Sequence, residues 1–384
     1  MPETAPPPHI AFGTRVRTSP FFDSTRRYGC KCYSVYNHMF MPVYYDSPVA
    51  DFWKLVNDVT LWDVAVERQV EITGPDAARF VQRLTPRNLS ACAVGQCKYV
   101  LITAADGGIV NDPVLLRLGE NHFWLSLADS DVLLWARGAA LNAGLDVTIA
   151  EPDVSPLQIQ GPKSTEVVEA LFGDWVRELK YYRFREAELD GIPVVLSRTG
   201  WSTERGYEVF LRDGRHGDRL WEMIMAAGKP FGIAPGAPST IRRIEGGLLS
   251  YGADMTLDNN PFEIGLERLV DLDQAADFIG KDALRRIKAE GVGQRLVGLE
   301  IAGPPLAAPN QAPWPVRAGG EAVGRVTSAV HSPRLEKNLA LAYLRVGHDA
   351  IGTVLSVALP DGPAEATVAE TPFYDPKKAL PSSS

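Results

Sequence analysis

The sequence predicts an α+β protein that ends in an all-β domain, and three observations support this prediction. Up to about residue 290, short strands joined by tight turns alternate with amphipathic helices, the order expected of antiparallel sheets with helices on one face. From residue 293 onward the helical periodicity disappears, and short alternating strands follow one another between Gly, Pro and Asp turns, as in a barrel or sandwich. The length of 384 residues is enough for two or three domains.

Composition and charge exclude several classes of function. The formal net charge of −8 argues against a nucleic-acid binder, which would present a basic stripe, and suits a cytoplasmic protein. The sequence contains no run of about 18 apolar residues, so no membrane span is expected, and its start lacks the pattern of a signal peptide. The four cysteines (Cys30, Cys32, Cys92 and Cys97) and six histidines lack metal-ligand spacing, so we expect free thiols and no metal site.

An aromatic stretch precedes the first clear helix, which is predicted over residues 51–57. Six aromatic residues lie between Tyr28 and Tyr45, interleaved with Cys, Ser, Asn and His, and their periodicity is weak. The stretch can be an ordinary core segment with its rings packed inward. It can also be the wall of a cation pocket, because the faces of aromatic rings attract positive charge.

The segment 66–143 predicts an α+β unit. Its first strand places Val66, Val70 and Ile72 on one face, and a Gly-Pro-Asp turn leads into a helix. The polar face of that strand carries Glu67, Gln69 and Glu71. Further strands are predicted over 96–103, 109–118 and 122–129, followed by a helix over 130–143. The segment 159–173 repeats the order of strand, Gly-Pro turn and helix, which suggests a second copy of the unit.

Asn111-Asp112-Pro113 stands near the start of a predicted strand. These residue types favour turns, but the preceding Asp-Gly-Gly at 106–108 already makes the turn. A carboxylate inside the strand therefore needs another reason, and Asp112 is a candidate functional residue.

Residues 194–213 predict a β-hairpin around a long polar loop. Strand alternation places Tyr207, Val209 and Leu211 on one face, and Glu208 and Phe210 on the other. A carboxylate beside a phenyl ring, with Trp201 in the loop, suits a flat heterocycle that carries N–H donors. The alternative is a surface hairpin with a solvated Glu208. Helices follow over 217–227, 237–252 and 277–291.

Several motifs along the chain resemble those of the folate-binding aminomethyltransferases, the T-protein family of the glycine cleavage system. TGWSTERGYE resembles the family segment TGYTGEDGFE, WDVAVERQVEITGPDA resembles FDVSHMGEIRVSGPDA, and DGGIVNDPVLL resembles GGIIDDLIV. The resemblance extends from about residue 17 to 375. SVYNHM, VERQVEI, NDP and LADSD are more similar to one branch of the superfamily, the tetrahydrofolate-dependent dimethylsulfoniopropionate demethylases.

The resemblance implies a three-domain T-protein-like ring around a central channel. Antiparallel sheets with helices form two α+β domains, and the C-terminal domain is an all-β barrel. The implied domains are a discontinuous folate-binding domain (17–56 plus 150–249), a second α+β domain (57–149 plus 250–290) and the barrel (291–375), with tails at 1–16 and 376–384.

The resemblance also implies the site. Asp112 matches the catalytic carboxylate, Glu208 the carboxylate that binds the pterin, and Tyr99 a residue that lines the pterin. Trp201 is expected to contact both folate and methyl donor. The remaining expected donor contacts are Tyr33, Tyr36 and Phe210.

Four positions depart from the family patterns. Asn111 replaces the first Asp of a pair. Ala128 and Ser239 replace an Asn and an Arg near the folate in T-proteins. Phe210 stands where the demethylases tend to have Tyr, which bears on the identity of the donor.

The implied activity is methyl transfer from a sulfonium donor, dimethylsulfoniopropionate, to N5 of tetrahydrofolate, giving 5-methyltetrahydrofolate and 3-methylthiopropionate. Three alternatives stay open: demethylation of an N-methyl or O-methyl donor, the aminomethyltransferase reaction of glycine cleavage, and a non-catalytic folate-binding assembly or repair role. The expected partners are small molecules, without nucleic acid or membrane, and a homodimer is compatible with the sequence.

Overall fold

A computed structural model of the chain describes residues 12–382. The predicted N-terminal tail (1–16) therefore lies mostly outside the described residues. The predicted C-terminal tail differs from the expectation, because its residues 379–382 form a short helical turn in which Pro381 is buried. Its carbonyl accepts a hydrogen bond from Arg198 at 3.4 Å.

The helices of the described chain are short, and most cover one face of a sheet. Their bounds are α1 Phe22–Arg27, α2 Pro48–Asn57, α3 Ala77–Leu84, α4 Val132–Ala140, α5 Ser164–Phe172, α6 Gly217–Gly228, α7 Thr240–Glu245, α8 Lys281–Glu290 and α9 Ala379–Ser382.

The strands of the two α+β units are β1 Cys32–Tyr36, β2 Met39–Tyr44, β3 Thr60–Asp63, β4 Gln69–Thr73, β5 Gln96–Tyr99, β6 Ile102–Thr103, β7 Ile109–Asn111, β8 Val114–Gly119, β9 His122–Ser126, β10 Thr148–Ala150, β11 Ser155–Gln160, β12 Phe184–Leu189, β13 Ile192–Ser197, β14 Gly206–Leu211 and β15 Ala234–Gly236. The C-terminal strands are β16 Gln294–Ile301, β17 Trp314–Ala318, β18 Glu321–Ser332, β19 Lys337–Arg345, β20 Val354–Leu359 and β21 Gly362–Ala369.

Two larger sheets and a barrel organise these strands. A six-stranded sheet has the order β12-β13-β14-β11-β3-β15, and a five-stranded sheet has the order β10-β4-β9-β8-β5. The C-terminal strands close an antiparallel barrel in the order β16-β19-β18-β17-β20-β21. These findings confirm the predicted α+β class with an all-β C-terminal barrel.

The two sheets share one topology, as the repeated motif suggested. In each, a strand and a Gly-Pro turn lead to a helix and a three-stranded meander, and the last meander strand pairs with the first strand (β4-β9-β8-β5 and β11-β14-β13-β12). Both Gly-Pro turns need glycine, because any side chain there would overlap a backbone carbonyl oxygen. A Cβ at Gly74 would lie 2.6 Å from the carbonyl oxygen of Asp146, and one at Gly161 2.5 Å from that of Asp58.

The boundary between the units differs from the expected one at residue 57. Strand β3 pairs with β11, so residues 60–63 belong to the six-stranded sheet. The predicted strand near 66–72 begins only at Gln69, because the N–H of Glu67 donates to the carbonyl of Val64 in a turn (2.9 Å). Val66 therefore packs in the core of the first unit, whereas Val70 packs in the core of the second.

The strand predicted over 109–118 is broken at Asp112-Pro113. Its first half pairs with β6 in a two-stranded ribbon, and its second half, β8, joins the five-stranded sheet. Proline has no N–H for the sheet, so the chain changes partners here. The break places Asp112 between two sheets.

The two larger sheets face one another through a shared apolar layer. This inter-sheet cluster consists of Cys97, Leu116, Trp124, Val154, Phe184, Val195 and Phe210. Hydrogen bonds from Cys97 N to Tyr182 O (2.9 Å) and from Phe184 N to Gly95 O (3.1 Å) join the sheets at its edge.

Candidate active site

The hairpin predicted over 194–213 is present. Strands β13 and β14 pair antiparallel, with Ser197 opposite Glu208. The predicted faces are confirmed, since Tyr207, Val209 and Leu211 pack in the core of the first unit. Glu208 is only 4% exposed, which excludes the solvated alternative.

The loop of this hairpin closes tightly over the side chain of Gln160. A Cβ at Gly200 or Gly206 would lie 2.1–2.2 Å from the Gln160 carboxamide, so only glycine allows this approach. Fully buried Arg242 holds the far side of the loop. Its Nε donates to Glu204 Oε1 at 2.6 Å, and its Nη2 donates to the carbonyl of Thr203 at 3.0 Å. These contacts fix the loop that carries the half-buried Trp201.

Glu208 is a buried carboxylate that is held by uncharged groups. The Nε2 of Gln158 donates to its Oε1 at 2.9 Å, and the hydroxyl of Thr199 donates to its Oε2. Burial raises the pKa of Glu208, and these two hydrogen bonds oppose the shift. Among residues 12–382, no Lys, Arg or His side chain forms an ion pair with it.

Asp112 is enclosed in a similar way at the break between β7 and β8. Its Oδ2 accepts a hydrogen bond from the hydroxyl of Tyr99 at 2.8 Å, whereas its buried Oδ1 has no partner within the described chain. Burial raises the pKa of Asp112 to about 7, against the opposing effect of the Tyr99 hydrogen bond. A carboxyl with this pKa can hold or release a proton near neutral pH.

Asn111 has a structural role that an aspartate could not fill. Its Nδ2 donates to the carbonyl of Ala128 (2.9 Å) and to the hydroxyl of Ser130 (2.8 Å), and its Oδ1 accepts from the N–H of Ala128 (3.1 Å). A carboxylate lacks the two donors. Ser239 also has a local role, since it caps α7 and accepts from the N–H of Arg242 at 3.3 Å.

The structure separates Tyr36 from Tyr33. The phenol of Tyr36 is enclosed near Asp112, Glu67 and Asp129, and burial together with these charges raises its pKa well above the usual range. Tyr33 instead shares a hydrogen bond between its hydroxyl and that of Thr25 (2.7 Å), and its ring packs among other aromatic rings. The two residues are three apart on β1, so they lie on opposite faces.

Phe210 does not reach a ligand surface. Its side chain is 0% exposed in the inter-sheet cluster, with its ring centroid 6.2 Å from that of Trp124. The expectation that Phe210 contacts the methyl donor is not supported by this placement. The face that it shares with Glu208 is the face that packs against the second sheet.

Two family models match this chain. The model for the GCVT N-terminal domain matches residues 21–274, and the model for the glycine cleavage T-protein C-terminal barrel domain matches residues 294–375. The chain belongs to the glycine cleavage T-protein family.

Within this T-protein family, the chain is similar to curated proteins of two kinds. It is 42% identical over 356 residues to the dimethylsulfoniopropionate demethylase DmdA of Ruegeria pomeroyi, with 93% of this chain and 97% of that protein covered. It is 35% identical to an aminomethyltransferase of Symbiobacterium thermophilum, over 87% of this chain and 91% of that protein. These matches confirm the resemblance predicted from the motifs.

A solved T-protein confirms the fold. The aminomethyltransferase T of the glycine cleavage system from Bartonella henselae superimposes with a TM-score of 0.84 at 22% identity, covering 94% of this chain and 99% of that one. The T-protein arrangement of two α+β units and a barrel is therefore the fold of this chain.

Sequence reasoning missed two residues of the candidate site. Gln158 joins Glu208 to Glu67, since the same Nε2 donates to Glu67 Oε1 at 3.3 Å. Its only sequence signal is a polar residue between the apolar residues Leu157 and Ile159 of strand β11. Glu67 was expected on the polar face of a strand, but it lies in the turn before β4 and faces the site.

The assembled site is rich in acceptors and poor in cations. Glu67, Asp112 and Glu208 lie together, and within residues 12–382 none of them forms an ion pair with a basic side chain. The described residues also contain no group of His, Cys, Asp and Glu that could hold a metal ion. Such a site suits a ligand that brings N–H donors and positive charge. No helix in the described part of the chain is long and apolar enough to cross a membrane.

Proposed function

We propose that this protein is a tetrahydrofolate-dependent methyltransferase that demethylates dimethylsulfoniopropionate and forms 5-methyltetrahydrofolate and 3-methylthiopropionate. The observation that carries the proposal is the pair of enclosed carboxylates, Glu208 and Asp112, with no basic partner among the described residues. The full-length similarity to DmdA of Ruegeria pomeroyi supports the choice of donor. In this role the protein acts in sulfur and one-carbon metabolism, in the cytoplasm.

Glu208 binds the pterin in this proposal. A pterin presents a ring N–H and an amino group side by side, and an ionised carboxylate can accept both hydrogen bonds. Gln158 and Thr199 hold the carboxylate in place from the protein side. Tyr99 and Trp201 line the pterin.

Asp112 acts at N5. In the transfer, the bond between sulfur and the methyl carbon breaks and its electron pair stays on sulfur, which leaves as a neutral sulfide. The lone pair of N5 forms the new bond, so positive charge develops on N5. An ionised Asp112 stabilises this charge and then accepts the N5 proton, which matches a pKa of about 7.

Tyr36 and Trp201 are the proposed wall around the sulfonium. Aromatic rings stabilise a bound cation by roughly 0.5–2 kcal/mol each. This stabilises the bound donor and does not by itself lower the barrier. The rate then depends on aligning N5, the methyl carbon and sulfur, which can contribute roughly 7–11 kcal/mol. Tyr33 is not part of this wall, because its ring and hydroxyl have other partners.

The test is anaerobic turnover of dimethylsulfoniopropionate with tetrahydrofolate, with both products measured by chromatography. We expect equal amounts of 5-methyltetrahydrofolate and 3-methylthiopropionate from the wild type, and almost none from Asp112→Asn. Tetrahydrofolate binding without turnover would contradict the donor assignment. The same preparation is then assayed as an aminomethyltransferase with a lipoyl carrier protein, the alternative that the second relative supports.

A further inference from the structure

Glu67 is a third carboxylate of the site, and it has no role in the methyl transfer described above. It lies in the turn between β3 and β4, where its N–H donates to the carbonyl of Val64. The side-chain Nε2 of Gln69 donates to the Glu67 carbonyl at 2.5 Å, so hydrogen bonds to both the N–H and the carbonyl of Glu67 hold the turn. The side chain therefore faces the site from a fixed piece of backbone.

The side chain of Gln158 ties Glu67 to the proposed pterin ligand. The Nε2 of Gln158 has two hydrogens, and it donates to Glu67 Oε1 (3.3 Å) and to Glu208 Oε1 (2.9 Å). Its Oε1 accepts from the N–H of Trp201 at 3.3 Å, which orients the amide. The carboxamide is thus fully used, and two carboxylates share one uncharged nitrogen.

Glu67 also lies on the side of the site where the methyl donor is expected. The negative charges of Glu67 and Asp112 lie close enough to the phenol of Tyr36 to raise its pKa. Burial and the charges of Glu208 and Asp112 raise the pKa of Glu67 well above its usual range. A third negative charge next to Glu208 and Asp112 is unfavourable unless a cation offsets it.

No protein cation does so, because the described residues include no Lys, Arg or His that forms an ion pair with Glu67. The nearby Arg68 forms its ion pair with Glu151 instead. A neutral ligand would offer nothing to stabilise the ionised form of Glu67, which burial and the neighbouring carboxylates disfavour. A donor with a fixed positive charge would supply this stabilisation.

Resting on the proposed function, we propose that Glu67 binds the positive charge of the methyl donor and makes the site selective for cationic donors over neutral molecules of the same shape. Glu67 forms and breaks no bond in the transfer. Because its attraction acts mainly on the bound donor, its loss affects KM more than kcat.

The experiment compares the wild type with Glu67→Gln, which keeps an oxygen to accept the Gln158 hydrogen bond. The probes are dimethylsulfoniopropionate as substrate and 4-methylpentanoate as inhibitor, since the latter has the same shape with a neutral CH group in place of the sulfonium. Glu71→Gln is the control, because it removes a carboxylate from β4 that bonds His122 and Trp124 outside the site. Kd for tetrahydrofolate is measured for each variant.

We expect Glu67→Gln to raise KM for the sulfonium by about tenfold or more, with kcat, the Kd for tetrahydrofolate and the Ki of 4-methylpentanoate each changing by less than about threefold. Three results would each overturn the inference: an equal weakening of sulfonium and isostere binding, an unchanged KM for the sulfonium, or a selective loss of tetrahydrofolate binding.

A failure of the proposed function gives a different result. If the wild type binds tetrahydrofolate but does not turn over the sulfonium, calorimetry with sulfonium and quaternary ammonium acids against their neutral isosteres still tests Glu67. A preference for cations that Glu67→Gln abolishes supports the inference. A wild type that binds cation and isostere equally overturns it.

Discussion

The hydrogen bond from Tyr99 to Asp112 makes a quantitative prediction about the pH dependence of catalysis. The hydroxyl of Tyr99 donates to Asp112 Oδ2 at 2.8 Å and stabilises the ionised form, while burial favours the neutral form and raises the pKa to about 7. A hydrogen bond to a charged group is worth about 1.5–3 kcal/mol, and one pH unit corresponds to about 1.4 kcal/mol. Tyr99→Phe should therefore raise the pKa of Asp112 by about one to two units.

The sign of the effect on the rate follows from the proposed role. Only ionised Asp112 stabilises positive charge at N5, so activity is lost as the pH falls through the pKa of this group. In Tyr99→Phe the acid limb of the profile should move to higher pH by about one to two units, and the rate should recover in alkaline buffer. The measurement is the single-turnover rate of 5-methyltetrahydrofolate formation between about pH 6 and pH 10.

Tyr251→Phe is the matched control. The hydroxyl of Tyr251 donates to the carbonyl of Ile109 at 2.9 Å, so this variant removes a phenol near Asp112 without removing a hydrogen bond from it. Its acid limb should stay within about 0.3 units of that of the wild type. An unchanged limb in Tyr99→Phe, or equal shifts in both variants, would refute the reasoning.

Three further predictions concern binding and stability. Glu208→Gln should weaken tetrahydrofolate binding by about tenfold or more, measured by calorimetry, because an amide cannot accept both pterin hydrogen bonds; unchanged affinity would contradict the pterin assignment. Asn111→Asp should lower the free energy of unfolding by about 2–4 kcal/mol in urea titrations, because it removes the donors to Ala128 and Ser130 and buries a charge, and a loss below 1 kcal/mol would argue against this role. Arg242→Gln should cost about 3–5 kcal/mol by the same method, because Glu204 would be left buried without its cation, and a neutral effect would show that the loop does not depend on this pair.

Local patterns in the sequence were sufficient for much of the fold. The alternation in β14 assigned Glu208 to the face opposite Tyr207, because side chains on a strand alternate whatever packs against them. The Gly-Pro turns identified the two α+β units, because a Cβ at Gly74 or Gly161 would overlap the backbone of a neighbouring segment. The short alternating strands after residue 293 indicated an all-β C-terminal domain for the same local reason, with barrel and sandwich both open. Motif resemblance added the family and singled out Asp112.

Only the tertiary structure decided which of these faces meet. A strand period says that Glu208 and Phe210 share a face, but it cannot say that the second sheet covers Phe210 and leaves Glu208 beside Gln158. The period also placed Glu67 on the polar face of a strand, whereas a turn held by a backbone hydrogen bond directs it into the site. The contacts that build the site join residues far apart in the chain, such as Gln158 and Glu67. Their proximity depends on the pairing of β11 with β3, the strand that leads into the Glu67 turn, and no local pattern encodes this long-range pairing.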